Sequence, residues 1–597
     1  MPKEVQLDER VIIFGGGVAG LSAAQELGER GFKVTIYEKR ELAGGKARSF
    51  TVPGSGTGGR KDLPAEHGFR FFPRFYRHVP DTMKRIPFEG NKHGVFGNLL
   101  QLTRMDAPRL NAPSFVMSGR FPRTPADLIL TLQDVFVDLY TELGLTREEV
   151  AYFGERLWQV LTSCEARRAD ELERLSWWGF LGASTRSEGY RKFLVQGLSK
   201  FLVAADARVT NAKVEGDIVI QLLLGLAEPG VSLDRVLNAP TQDAWIDPWR
   251  DYLTRQLRVE FNYSVSLRRL HCDDSGRISG ASMVGAGGGE HTVVGDYYLA
   301  ALPLEVMAKL LSQDIEHAPA GQVEYRNLLS ADPSLLGVVE LGKAVGWMNG
   351  LQFYLRKDIG IVFGHELYLD SKWALTSISQ QQTWPHTRLT GYGDGQVRDI
   401  LSVVISDWET PGKFVRKPAK ECSREEIRHE VWEQLKESLL VDGKPLLSDS
   451  DLHSWYLDPD IKDAPGPDPG VRYKSAEPLF VALDNTWHLR PDAYTRIPNF
   501  FLAADYVRTY TQLATMEAAN EAARRAVNAI LQAAGSRASL CRVWPLHEPE
   551  ILWLWRWQDR RRYRKGLPWK QELPRLVRVL QRLILIVYRV RRFVRGA

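Results

Sequence analysis

Residues 11–14, Val-Ile-Ile-Phe, form an unbroken apolar run between Arg10 and Gly15, the pattern of a short strand buried on both faces. Beyond Gly15-Gly16-Gly17 the apolar positions predict a helix from Leu21 to about Arg30, and Val34-Thr35-Ile36-Tyr37 reads as a second buried strand. From 125 to 237 the pattern is mainly helical: Leu128, Leu132, Val135 and Leu139 recur at helical intervals, and apolar clusters follow at 158–161 and 193–202. Residues 247–257 predict a helix, 259–263 and 267–271 strands, 273–277 a turn, and 296–303 a further strand ending in Pro303. Between 335 and 410 the runs 337–341, 351–355, 373–379 and 401–406 predict an antiparallel sheet walling a pocket. A last strand leads into Ala504-Asp505, and a helix begins near Thr515-Met516-Glu517.

The glycines after the first strand fall at G-x-G-x-x-G spacing, as Gly15, Gly17 and Gly20. The first permits a tight turn, the second lets a pyrophosphate approach the backbone, and the third lets the helix pack close to the strand. Val18 and Ala19, in the turn between these glycines, are counted with the cofactor-binding residues, and the helix that follows offers unpaired amides and a dipole that favour phosphate. Glu38, followed by Lys39, ends the second strand about 20 residues on, where a carboxylate can accept both ribose hydroxyls. A second glycine pair, Gly44-Gly45, precedes Lys46. The fold class expected is α/β, with a Rossmann-type dinucleotide-binding domain and a mixed-sheet plus helical substrate-binding domain.

Composition narrows the picture. At 597 residues, 44% hydrophobic and 25% charged, the chain has core enough for two or three domains and is not disordered. Cys164, Cys272, Cys422 and Cys541 lie far apart, which argues against zinc, iron–sulfur and disulfide frameworks and suits a reducing cytoplasm; no metal is expected. The charged start predicts no cleavable signal, and no run of about 18 apolar residues predicts a transmembrane span. The glycine-rich 53–59 lacks a preceding strand and reads as a surface connection. The net charge of +5 hides an asymmetry: from Cys541 onward 15 Lys/Arg face 4 Asp/Glu, so this end carries +11 and the rest −6. In 575–594, Arg575, Arg578, Arg582, Arg589 and Arg592 share one helical face, and Leu576, Val579, Leu580, Leu583, Val587 and Val590 another. A basic face opposite an apolar one suits anionic lipid and predicts peripheral membrane attachment; nucleic acid, which would leave the aliphatic face unexplained, is not expected.

Glu38 followed by Gly44-Gly45-Lys46 resembles the extended fingerprint of the FAD-dependent amine oxidase and carotenoid desaturase superfamily, and 496–509 with the helix at Thr515 resembles its last FAD motif. Segments 347–355, 364–368 and 370–379 look like plant- and cyanobacterial-type carotene desaturases, and within the superfamily the chain resembles these and hydroxysqualene dehydroxylase most. The resemblance implies FAD, with Asp505 at its ribityl chain or pyrophosphate and Thr515 and Met516 at a helix N-terminus facing the flavin. It implies Leu267 against the adenine through its backbone, and Glu66-His67-Gly68 beside the flavin ring. Ala504 departs from the pattern, where glycine is usual. The implied domain order is FAD-binding 1–120, helical cap 121–240, FAD-binding 241–310, sheet-rich substrate domain 311–490, FAD-binding 491–540 and basic tail 541–597.

The expected function is dehydrogenation of a hydrophobic, isoprenoid or lipid, small-molecule substrate by hydride transfer to flavin N5, with oxygen or a quinone as electron acceptor. His67 and Glu66 are the candidate acid–base residues, and a peripheral, membrane-associated cytoplasmic location follows from the tail. An amine or porphyrinogen oxidase using oxygen is the competing reading, in which Lys343 would face the flavin. A non-catalytic flavin-binding membrane scaffold is a third.

Overall fold

In a computed structural model the described residues are 9–571, except 69, 103, 110–111, 119–142, 204, 227–233, 317–327, 362, 442 and 465–469. The helix expected at Leu128–Leu139 spacing and the two-faced tail 575–594 lie outside the described residues.

The first apolar run becomes β1 (Arg10–Phe14), with Val11, Ile12 and Ile13 wholly buried at the centre of a five-stranded parallel sheet. Its order is β3-β2-β1-β4-β5, where β2 is Lys33–Glu38, β3 Glu260–Tyr263, β4 Tyr297–Ala300 and β5 Phe500–Leu502. The sheet thus gathers three separated parts of the chain. Helix α1 (Val18–Gly28) follows β1, and α4 (Met516–Ala533) follows β5. The two helices are joined where Asn520 donates to Ser22 (2.8 Å) and to Thr82 (2.9 Å) on helix His78–Arg85. These buried polar bonds fix one helix on the other, because an unpaired amide there would lose its hydration without compensation.

A seven-stranded sheet forms the second layer, in the order Leu452–Leu457, Asn349–Leu355, Asp399–Ile405, Leu375–Ser379, Gly364–Leu367, Arg104–Arg109, Ala112–Ser118. All its pairings are antiparallel except that of Gly364–Leu367 with Arg104–Arg109. Residues 104–118 therefore pair with the sheet of the substrate region rather than with the nucleotide sheet. One expected strand is a helix: 337–341 lies in α3 (Leu336–Leu341), where Val338 and Leu341, three apart, are both buried. A Cβ on Gly337 would come 2.6 Å from the Leu489 carbonyl oxygen, so glycine there permits a close helix–backbone approach rather than a strand.

The helical region contributes α2 (Arg147–Thr162), opened by a capping box between Thr146 and Glu149, and its own core around Val160, Trp177 and Tyr190. All four cysteines are free, three of them buried. No helix among the described residues is long and apolar enough to cross a membrane.

Candidate functional site

The two glycine turns lock together. Gly15 (φ +104°) donates to the Tyr37 carbonyl (2.8 Å), and Gly44 (φ +116°) donates to Gly16 (2.8 Å). A Cβ on Gly15 would sit 2.5 Å from the Ala301 oxygen, one on Gly20 only 1.9 Å from the Gly15 oxygen, and one on Gly45 2.9 Å from the Gly17 Cα. Real Cβ atoms do not approach so closely, so these positions exclude any side chain. A Cβ on Gly17 would make only ordinary contact, 3.7 Å from the Gly45 Cα. Gly17 caps α1 without a side-chain hydrogen bond, and the first turn of α1 holds no acid, which leaves its amides to an anion.

These turns open onto a cavity of about 1080 Å³. It exceeds the roughly 300–1,000 Å³ of a typical small-molecule site, as a cofactor and a substrate together require. Of the residues expected to bind the cofactor, Gly15, Gly17, Val18, Ala19, Glu38, Lys39, Gly44, Gly45, Lys46, His67, Gly68, Leu267, Asp505, Thr515 and Met516 all line it. Gly20 does not; it sets the packing of α1 beneath the turn. Glu38 is buried, its carboxylate accepting the amides of Gly16 (2.7 Å) and Arg40 (2.9 Å). Leu267, near a bulge in strand Val265–Cys272, marks one end of the cavity wall, and Thr515 and Met516 belong to the distant α4. Thr515 caps α4 by accepting from the Ala518 amide (3.1 Å). Glu517 in the first turn anchors the helix by accepting the amides of Arg77, His78 and Val79.

The charged residues around this cavity fit a dinucleotide. Asp505 and Glu305 both line it; burial pushes both carboxyls up, against Lys46 in each case and also Arg490 for Asp505. Both Glu305 carboxylate oxygens lack a hydrogen-bond partner among the described residues, though Lys46 Nζ lies 3.5 Å away, so the acid is an acceptor waiting for hydroxyl donors. Arg490, not foreseen from sequence, donates to the carbonyls of Asp505, Tyr506, Val507 and Gln512, and so holds the loop between β5 and α4. The glycine cradle at Gly17, the Glu305 carboxylate with neither oxygen hydrogen-bonded among the described residues, and the start of α1 with no side-chain cap together suit a pyrophosphate and its sugar hydroxyls.

The two candidate acid–base residues part company. His67 lines the cavity, with Nδ1 2.7 Å from Asp458 Oδ2. Asp458 is fixed by the Asn349 amide (2.9 Å); burial pushes its carboxyl up, but the charge and hydrogen bond of His67 and the bond from Asn349 outweigh this and hold it low. Glu66 lies outside the cavity lining, its carboxylate accepting the amide (2.9 Å) and hydroxyl (3.0 Å) of Thr241. Burial pushes Glu66 up to about 7, against Arg70 and Thr241. Asp460 stands beside Asp458, so His67, Asp458 and Asp460 have the composition of a metal site. Arg48 and Arg40 already pair with Asp460, which balances the charge without a cation. Lys343 is exposed, follows a helix rather than a strand, and does not line the cavity.

A parallel sheet with a glycine cradle at its carboxyl edge, closed from far along the chain by an anchored helix N-terminus, defines a dinucleotide-binding protein. Residues 18–531 match the model of the flavin-containing amine oxidoreductases, and the chain belongs to that family. It is an FAD-dependent oxidoreductase. A zeta-carotene desaturase of Synechocystis sp. is 24% identical over 539 residues, covering 87% of this chain and 97% of that protein. A carotenoid phi-ring synthase of Chlorobaculum tepidum is 34% identical over 77 residues, only 13% of this chain and 11% of that protein. The solved cyclohexylamine oxidase of Brevibacterium oxydans shares the fold, with a TM-score of 0.56 at 14% identity, over 89% of this chain and 100% of that one.

Proposed function

We propose that this oxidoreductase dehydrogenates an apolar, isoprenoid or similar lipid, substrate in the part of the cavity bounded by His67, Gly68, Phe71, Met348 and Val404. FAD, when bound, supplies the hydride acceptor. The apolar walls exclude water and hold the substrate chain. The N-terminus of α4 brings positive potential to the cavity wall, where negative charge is best tolerated. In its neutral form with the proton on Nδ1, which lies 2.7 Å from Asp458 Oδ2, His67 can take a proton at Nε2 from the carbon next to the one oxidised. Glu66, committed to Thr241, takes a positioning role behind His67.

The observation carrying this reading is the cavity wall itself: apolar side chains and a buried His–Asp pair, with Lys343 turned away to solvent. The near full-length likeness to a zeta-carotene desaturase supports the same substrate class. The exposed Lys343, outside the cavity lining, does not serve as the flavin-facing lysine of the amine-oxidase reading. An apolar substrate and the Arg-rich end of the chain together support work at a membrane surface. Incubating the purified holoprotein anaerobically with polyprenyl and carotenoid hydrocarbons, and separately with polyamines, tests the reading. Bleaching of the flavin absorbance by the hydrocarbons supports it; bleaching by amines alone overturns it.

A further inference from the structure

Helix α5 (Trp553–Tyr563) is mounted rigidly on the helical region by its inner face. Asp559 there is buried and accepts from Arg167 Nε (3.0 and 3.1 Å) and from the Cys164 amide (2.9 Å). Trp555 meets Trp158 of α2 edge to face, ring centroids 5.5 Å apart. Tyr563 donates to Asp170 (2.7 Å), Arg167 also donates to the Leu567 carbonyl (2.8 Å), and Trp569 donates to Thr162 (3.1 Å). A helix that only covered core would turn its large apolar residues inward along with these.

The outer face does the opposite. Trp553 is 47% exposed, Trp557 41%, and Leu567 just beyond the helix 42%. Arg560, Arg561 and Arg564 are exposed too, and positions 553, 557, 560, 561 and 564 fall on one stripe at helical spacing. The Arg561 guanidinium lies 4.9 Å from the Trp557 ring centre. The acid on α5, Asp559, points inward to Arg167, and Glu548 just before the helix pairs with Arg168 and Arg556. The sequence after Glu572 adds seven arginines and no acid.

Indoles favour the boundary between headgroups and acyl chains, where the ring is apolar and the N–H stays wet, and guanidinium groups bind phosphates through paired N–H donors. An 11-residue helix is about 16 Å long and about 10 Å wide, so this face offers on the order of 160 Å², far below the ~800 Å² per partner of a standard protein interface. A bilayer requires no such area, only aromatic anchors and opposite charge.

We propose that the outer face of α5 docks on an anionic bilayer, with Trp553 and Trp557 at headgroup depth and Arg560, Arg561 and Arg564 on lipid phosphates. The inference rests on the membrane reading above and adds to it a folded docking surface, distinct from the two-faced segment 575–594, that holds the helical region against the lipid.

Co-sedimentation of the full-length holoprotein with phosphatidylcholine vesicles, with and without phosphatidylglycerol, tests this. The wild type is expected to bind the phosphatidylglycerol vesicles. Trp553→Ser/Trp557→Ser and Arg560→Gln/Arg561→Gln/Arg564→Gln are each expected to weaken binding at least about tenfold, with flavin absorbance and melting temperature unchanged. Tryptic cleavage within 560–565 of the wild type is expected to slow on those vesicles. A wild type that ignores all vesicles overturns the membrane reading and this inference together. Binding that survives both variants, or unprotected cleavage in 560–565, overturns this inference alone and leaves segment 575–594 as the anchor. A wild-type dimer that the tryptophan variant dissociates reassigns the face to contact between copies.

Discussion

His67 and Asp458 are the residues on which the proposed chemistry turns. Replacing His67 with Ala is expected to slow anaerobic flavin reduction by the substrate by about 10²-fold while FAD stays bound, measured by stopped-flow absorbance. Asp458→Asn is expected to act more mildly and to change the pH profile of that step, because it alters what His67 Nδ1 faces rather than removing the ring. Glu66 carries a separate prediction. Burial raises its folded pKa from an ordinary value of 4.5 to about 7, so between these values the folded state binds more protons than the unfolded one, and stability falls as pH rises through this window. The cost, fully present above about pH 7, is on the order of 1–3 kcal/mol. Gln at 66 can still accept from the Thr241 amide and donate to its hydroxyl, so Glu66→Gln is expected to melt higher than wild type at pH 8 and level with it at pH 4, by calorimetry. His67 was legible in the sequence because a motif surrounds it. Asp458 was not, because only the fold brings it from a far strand end to the ring, and adjacency in sequence hides that Glu66, the last residue of strand Pro64–Glu66, turns to Thr241 while His67 lines the cavity.

At the scale of elements the glycine turns were readable almost entirely, since each glycine answers a steric demand that the spacing already encodes. Gly20→Ala places a methyl 1.9 Å from the Gly15 carbonyl oxygen, so α1 must shift from β1 and the phosphate cradle opens. The variant is expected to purify with little FAD, read from the ratio of flavin to protein absorbance. The start of α4 at Met516 was legible from Thr515, a good cap, but its tie to α1 through Asn520 and Ser22 was not, because no local pattern links residues so distant. The five residues 337–341 were misjudged because a short apolar run fits a strand and a helix equally, and packing of Val338 and Leu341 decided for the helix. Residues 104–118 were grouped with the nucleotide domain by proximity in sequence, whereas their pairing partner, Gly364–Leu367, comes much later.

For the whole molecule, buried carboxyls set the pH response. Burial raises Glu66 and Glu215 to about 7 and Asp399 to about 6, so these weaken the fold as pH rises from about 4 to 7. Glu477 is brought down to about 2 where Lys39, Arg40 and Lys46 overcome its burial, and its contribution is lost as pH falls from about 4.5 towards 2. The two sets act in opposite directions, so Glu477→Gln is expected to flatten the loss of melting temperature below about pH 4.5 and Glu66→Gln the loss between about pH 4.5 and 7, which a calorimetric pH series checks. FAD binding links the three parts of the chain that build the nucleotide sheet, so stripping the cofactor is expected to remove about 2.7 kcal/mol relative to protein at a hundredfold excess of FAD over its Kd, seen as a lower melting temperature that returns on FAD addition. The central claim is that the glycine turns and the α4 N-terminus enclose one flavin that takes hydrogen from an apolar substrate. Anaerobic titration of the purified holoprotein with a carotenoid or polyprenyl hydrocarbon tests it most directly. Stepwise loss of the oxidised flavin absorbance, with a product carrying one more double bond, is the predicted result; a colourless protein that refuses FAD, or a flavin that only amines bleach, would contradict it.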